Sequence, residues 1–253
     1  MRFGKYLLSF LWRSWVFLFF VFTQIFFLPA LFLFTNLLPS KKQIFKISKL
    51  WSKYLLFFSG ILVRKELSKK IEKNKTYIIC SNHVSSLDIA LIYSTANIPL
   101  IFIGKSEITK FPIFGYYFKK NSISVDRQNL RDSYNAYVRA KQVVKKEISV
   151  CVFTEGGIPK PEVRLRRFKN GAFKIALESG TDILPVVIYD NKKRFPWSYF
   201  KGSPGISRVK YLDPIQIRNF DKNDLKKLNN FVFDKINQEL KANENIERTN
   251  KSA

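Results

Sequence analysis

Apolar and polar positions divide this chain into two regimes. From 14 to 40 the stretch SWVFLFFVFTQIFFLPALFLFTNLLPS carries no charge at all. It exceeds the ~20 apolar residues that span the hydrocarbon core of a bilayer, so it predicts a hydrophobic helical membrane anchor. It has no small-residue cleavage site, which argues against a signal peptide. Pro29 is expected to break or kink a straight helix there. A second apolar patch, YLLFFSGILV at 54–63, is too short to span. The region 1–65 is therefore an anchor that crosses once, or dips in and returns.

Beyond the anchor, short apolar runs alternate with longer amphipathic stretches. Strands are predicted at 77–81, 100–104, 122–125, 149–153 and 183–189. Helices are predicted near 86–95, 112–119, 130–147, 170–180 and 222–241. In the third of these, Leu130, Tyr134, Tyr137, Val138 and Val144 recur at helical spacing. The alternation predicts an α/β fold for 66–241, a mostly parallel or mixed sheet flanked by helices. The segment 190–205, rich in Pro, Gly and aromatics, reads as a loop or flap. The polar stretch 242–253 reads as a fraying tail.

Charge changes the picture next. Lys and Arg total 44 against 19 acidic residues, a formal +25, which calls for an anionic partner. The basic residues are scattered, with no zinc-finger or RNP signature, which excludes a nucleic-acid module. Beside the apolar run they point instead to anionic membrane lipid. Arg2, Lys5 and Arg13 precede the run, whereas Lys41, Lys42, Lys46, Lys49 and Lys53 follow it. That excess places the body of the protein on the cytoplasmic face of a membrane. Cys80 and Cys151 sit in separate apolar runs and read as buried free thiols, with neither disulfide nor metal site.

The chain has a single histidine, His83, in the stretch NHVSSLD at 82–88. It follows a predicted strand and precedes a helix, where α/β sheets place their ligand sites. Asp88 falls in the first helical turn. A carboxylate there can turn back to one imidazole nitrogen, fix the tautomer and leave the other nitrogen as a base. The alternative is a capping box, Ser85-x-x-Asp88, with the carboxylate serving the helix dipole. Three further runs end or begin at strand edges: 105–129, closing on Asp126-Arg127; 152–159, VFTEGGIP; and 168–188, with Pro185 in its strand.

Together these runs resemble the glycerolipid acyltransferases, in particular the bacterial 1-acylglycerol-3-phosphate acyltransferases. Asn82-His83-x-Ser85-x-x-Asp88 resembles the family's first block, NHxSxxD. Lys105, Glu107, Pro112, Gly115, Phe118 and Arg127 are similar to the second. Phe153, Glu155 and Gly156 match positions of the third, usually FPEGTRS, and Leu184-Pro185-Val186 resembles the fourth. The resemblance implies acyl transfer from acyl-CoA or acyl carrier protein to the hydroxyl of a lysophospholipid, without a cofactor. His83 would be the base and Asp88 its orienting acid. Arg127 would hold the acceptor phosphate, and Glu155 and Gly156 would shape the acceptor side of the cleft. Lys105, Lys169 and Arg164 are further candidates for substrate contact. The third block departs from the pattern: Thr154, Gly157, Ile158 and Pro159 stand where the family has Pro, Thr, Arg and Ser. The missing arginine leaves open a different lysolipid or amino-lipid acceptor, or a lipid-binding relative without activity. A Ser/His/Asp lipid hydrolase using Ser85 or Ser86 is the rival, although no G-x-S-x-G elbow is present.

Overall fold

The structure, a computed structural model, describes residues 2–126 and 128–252. The chain opens with helix α1 (Arg2–Phe32), a π-helical turn (Leu33–Leu37) and helix α2 (Lys41–Phe58). There follow β1 (Ile61–Leu67), β2 (Ile78–Ser81), α3 (Asp88–Thr95), β3 (Leu100–Lys105), α4 (Phe114–Asn121), β4 (Ile123–Val125), α5 (Leu130–Lys145) and β5 (Ser149–Phe153). Then come α6 (Gly171–Ser179), β6 (Ile183–Ile188), the short α7 (Asn191–Arg194), β7 (Gly205–Tyr211) and α8 (Leu225–Ser252).

Among the described residues the strands form one seven-stranded sheet in the order β1-β7-β6-β2-β5-β3-β4. The five strands from β6 to β4 are parallel, and each corresponds to a predicted one. They read as continuous apolar runs because helices cover both faces: every residue of β2 and β6 is buried. The sheet is mixed because β7 pairs antiparallel to β6, and β1 runs parallel to β7. Neither was visible as a strand from apolar runs. β1 carries Arg64, Lys65 and Glu66, and β7 alternates, burying Ser207, Val209 and Tyr211 while Arg208 and Lys210 stay half-buried.

Two cores flank the sheet. On one face, α3 packs with Trp51, Leu55 and Leu56 of α2 against Ile79, Phe102, Cys151 and Leu184. On the other, α5, α6 and α8 pack against Ile78, Cys80, Val150 and Val187, with Leu228, Val232 and Ile236 fully buried. Cys80 and Cys151 lie in these opposite cores as buried free thiols, and burial pushes both up from the ordinary thiol range.

The N-terminal hairpin differs from expectation at Pro29. Helix α1 runs through Pro29 without a break, and a π-helical turn follows it. The chain then reverses and Ser40 caps α2 by accepting from the Gln43 amide. Moreover, α1 stays on the folded body along its length. Trp12 and Trp15 donate to the carbonyls of Ser59 and Phe58, Trp51 donates to Thr23 Oγ1 at 3.0 Å, and Asn36 accepts from the Tyr116 hydroxyl. Its outward face leaves Leu8, Leu11, Leu18, Phe22 and Phe26 exposed.

The tail also departs from the reading as a frayed end. Helix α8 continues to Ser252. Arg164 reaches Glu244 at 3.1 Å, and Arg208 and Lys193 both reach Glu247, so polar residues that suggested fraying make ion pairs with distant parts of the chain.

Candidate active site

The site is built where β2 and β5 end side by side. Ser81 lies opposite Phe153, so the residues that follow, Asn82-His83 and Thr154-Glu155, emerge together at the carboxyl edge of the sheet. Asn82 turns inward. Its side chain both donates to and accepts from the backbone of Ile188, at 2.9 and 2.8 Å, which ties the end of β2 to the end of β6. Thr154 is buried, with its amide on the Ser81 carbonyl.

His83 is held from three sides. Its amide donates to Glu155 Oε1 at 2.8 Å. Its ring lies flat on Phe153, centroids 3.9 Å apart and planes 8° from parallel. Its Nδ1 is 2.8 Å from Asp88 Oδ2. Its Nε2 makes no hydrogen bond among the described residues, and the side chain is 16% exposed. The imidazole is thus a partly open group rather than a core histidine.

Asp88 is fully buried and fully engaged. Oδ2 also accepts from the amides of Val84 and Ser85, at 2.6 and 2.9 Å, and Oδ1 accepts from Asn191 Nδ2 at 2.8 Å. Those amides precede α3: the Ser85 amide on Oδ2 is the reach-back bond of a capping box, while the Val84 amide and the His83 ring tie the same carboxylate to the histidine loop. Accepting from Nδ1–H fixes the tautomer that leaves Nε2 with a lone pair. Asn191 is held in turn by Ser207, whose hydroxyl donates to Asn191 Oδ1.

Glu155 is buried and braces two loops. One oxygen takes the His83 amide and the other the Arg166 amide at 2.7 Å. Burial pushes its carboxyl above the ordinary range, against the opposing pull of those two amides. Gly156 and Gly157, which follow it, have φ of 76° and 153°. The first lies in the left-handed region that favours glycine. In the second block, a Cβ at Gly115 would collide with the Thr109 carbonyl, which accounts for a glycine there.

The other sequence candidates are dispersed. Lys105 is at the surface, paired with Glu107 at 2.6 Å. Arg164 is turned towards Glu244 on α8. Lys169 is exposed, but its amide bonds the Thr154 carbonyl, which seats it beside the Glu155 turn. Arg127 lies outside the described residues. Ser85 Oγ donates to the Phe195 carbonyl at 2.6 Å, and neither Ser85 nor Ser86 hydrogen-bonds the imidazole among the described residues. Sequence reasoning missed Asn191 and Ser207, which carry no local signal. It also missed Lys192, whose ammonium bridges α7 to the Val163 carbonyl in the third-block loop.

Beside the ring stack lies an apolar crevice of about 60 Å³ between the N-terminal hairpin and the body, lined by Gln24, Trp51, Tyr93, Phe102, Phe114 and Phe118 among others. Phe102 stacks on Phe153 at 5.6 Å, so this crevice is one ring removed from the imidazole.

A buried carboxylate hydrogen-bonded to an imidazole, at the strand ends of an α/β sheet, is an arrangement that can act as a general base. The Acyltransferase family profile matches residues 62–189, and the chain belongs to that family. It is 27% identical over 192 residues to the 1-acyl-sn-glycerol-3-phosphate acyltransferase of Borreliella burgdorferi, covering 75% of this chain and 76% of that one. It is 32% identical over 161 residues to the enzyme of the same name from Cocos nucifera, covering 63% and 51%. The crystal structure of the 1-acyl-sn-glycerophosphate acyltransferase PlsC from Thermotoga maritima superimposes with a TM-score of 0.78 at 25% identity, over 96% of this chain and 98% of that one.

Proposed function

We propose that this acyltransferase moves a fatty acyl group from a thioester, acyl-CoA or acyl carrier protein, to the free hydroxyl of 1-acylglycerol-3-phosphate, forming phosphatidate. The observation that carries the reading is the His83–Asp88 pair, 2.8 Å apart, with Nε2 left unpartnered among the described residues. Nε2 takes the proton from the acceptor hydroxyl as its oxygen attacks the thioester carbonyl. Asp88 stabilises the imidazolium that results. When the tetrahedral intermediate collapses, the thiolate leaves and the imidazolium returns the proton to sulfur. No covalent enzyme intermediate is formed. A positioned base of this kind contributes ~10²–10⁴-fold.

Glu155 acts through backbone, keeping the His83 amide and the third-block loop in register. Arg127, with Lys169 beside the Glu155 turn and Lys105, supplies positive charge for the acceptor phosphate, and Gly156 allows the turn to approach it. Arg164, engaged with Glu244, has the weakest claim. The apolar crevice receives the start of an acyl chain. At about 60 Å³ it has room for only a few methylenes in this arrangement, so longer chains extend along the hairpin.

The reaction takes place at a membrane surface. Because the chain remains against the body from Ser9 of α1 to Asn36 of the π-helical turn, α1 lies in one leaflet with its apolar face towards acyl chains, rather than leaving the protein to cross. The lysines of α2 and the +25 charge hold anionic headgroups, with the body on the cytoplasmic side. The test is purified protein in lipid vesicles, a panel of lysolipid acceptors, and both donor types. Transfer to 1-acylglycerol-3-phosphate that His83→Ala abolishes is expected. Donor hydrolysis at an equal rate without acceptor would overturn the reading in favour of a hydrolase, and preference for another lysolipid would reassign the acceptor.

A further inference from the structure

Arg13 stands on the apolar helix α1, yet it is only 5% exposed. Burying a guanidinium carries a steep cost unless it is well bonded. Its Nη1 donates to three backbone carbonyls, those of Pro196, Ser198 and Lys201, at 2.8, 2.7 and 2.8 Å. Its guanidinium also lies over the Phe195 ring, 3.9 Å from the centroid. All four partners belong to the strap that joins α7 to β7, whose residues 195–204 form neither helix nor strand. One helical turn away, Ser9 donates to the Gly202 carbonyl at 2.9 Å. A strap without its own ladder is therefore fastened to α1 by the bonds of Arg13 and Ser9 to its backbone, beside ring contacts of Phe10 with Tyr199 and Phe200 and of Trp12 with Phe195.

The same strap reaches the site. The Phe195 carbonyl accepts the Ser85 hydroxyl at 2.6 Å, and the Ser85 amide donates to Asp88 Oδ2 at 2.9 Å. At the strap's entry, Asn191 donates to Asp88 Oδ1. One oxygen of the carboxylate paired with His83 thus leans on the strap through Ser85, and the other is held by α7 and β7, the elements the strap joins, through Asn191 and Ser207.

We propose that Arg13 is a positioning residue for acyl transfer: by clamping the strap to α1 it keeps the Phe195 carbonyl on Ser85 and the Asp88–His83 pair aligned. Seating of the N-terminal helix and competence of the base are then one structural event. The inference rests on the reading of His83 as the base.

The experiment is a double-mutant cycle on the full chain in lipid vesicles, with steady-state kinetics and melting temperature measured for each protein. Arg13→Lys keeps the charge but loses the planar fork. It is expected to lower kcat by on the order of 10- to 100-fold, since small misplacements of a catalytic group have effects of that size. Both KM values should stay within about twofold. In a Ser85→Ala background the same change should cost less than about twofold more, because the link it acts through is already cut. Gly202→Ala opens the strap from its other end with Arg13 intact. Its φ is +115°, and the new Cβ would sit 2.5 Å from the Arg194 carbonyl and 3.2 Å from the Trp12 ring. It should show the same kcat loss and the same non-additivity. Unchanged kcat in both variants, losses that multiply with Ser85→Ala, or melting temperatures that fall in step with activity would each overturn the proposal. A wild type that transfers nothing overturns the acyl-transfer reading and this inference with it, whereas an active wild type with unaffected variants overturns this inference alone.

Discussion

The imidazole of His83 rests face to face on Phe153, 3.9 Å between centroids, so the ring has one free edge and cannot tumble. Phe153 is the last residue of β5, and its ring also stacks on Phe102. The ring face is the negative side of its quadrupole, which would favour the imidazolium formed in the proposed transfer. Phe153→Leu keeps apolar volume but removes that platform. We expect kcat to fall on the order of 10-fold with the fold retained, and Phe153→Ala to cost ~3–5 kcal/mol of stability as well. Kinetics beside thermal melts check both.

Asp88 accepts four hydrogen bonds while fully buried. Asp88→Asn preserves its shape but removes the charge that stabilises imidazolium, and the expected loss in kcat is on the order of 10³–10⁴. Asn191→Leu leaves one carboxylate oxygen without its partner and strands the Ser207 hydroxyl. It should cost ~1–3 kcal/mol in a denaturation experiment and lower kcat together with it. An Asp88→Asn protein with wild-type turnover would remove the acid from the mechanism.

Glu155 gives a pH signature of definite sign. Burial raises its carboxyl in the folded state from the ordinary 4.5. The folded protein then binds this proton more tightly than the unfolded chain, so its stability contribution is fully present below 4.5 and lost as pH rises through the raised value. The stability difference between wild type and Glu155→Gln should therefore widen in favour of wild type as pH is lowered from neutral towards 4.5. Paired melts at several pH values measure it, and a difference that narrows contradicts the assignment.

Glu247 should show the opposite sign. Lys193 foremost, then Arg208 and Asn243, hold its carboxyl down to about 2. Its contribution is present above the unfolded value of 4.5 and lost as pH falls through about 2. Glu247→Gln should destabilise by up to ~1 kcal/mol at neutral pH, the scale of a partly exposed ion pair, and the penalty should vanish on acidification.

The outward face of α1 predicts a separation of membrane binding from folding. Leu18 and Phe22 are 63% and 60% exposed, while Arg13, Thr23 and Gln24 face the body. Leu18→Lys with Phe22→Lys places two charges where acyl chains are expected, each at a cost of ~2.5–3.5 kcal/mol near the hydrocarbon centre. Fractionation should show the protein moving from membrane towards supernatant, with an unchanged melting temperature.

What the sequence determined by itself is what local pattern can carry. Runs of apolar residues a few positions long located the five parallel strands, since strands buried on both faces leave no alternation to misread. Length and the lack of charge marked the N-terminal hairpin, and the spacing of His83 and Asp88 matched the pair that forms. The tertiary structure alone decided the remainder. Asn191 meets Asp88 across 103 residues, Arg13 meets the strap across more than 180, and Glu155 takes the His83 amide across 72. Each is a polar group whose partner is chosen by burial and not by neighbours in the chain. The charged edge strand β1 likewise becomes a strand by pairing with β7, and the alternating β7 by pairing with both β1 and β6. Periodicity records which face of an element is apolar, but the choice of partner follows from packing distant segments around one core, and no local window contains that information.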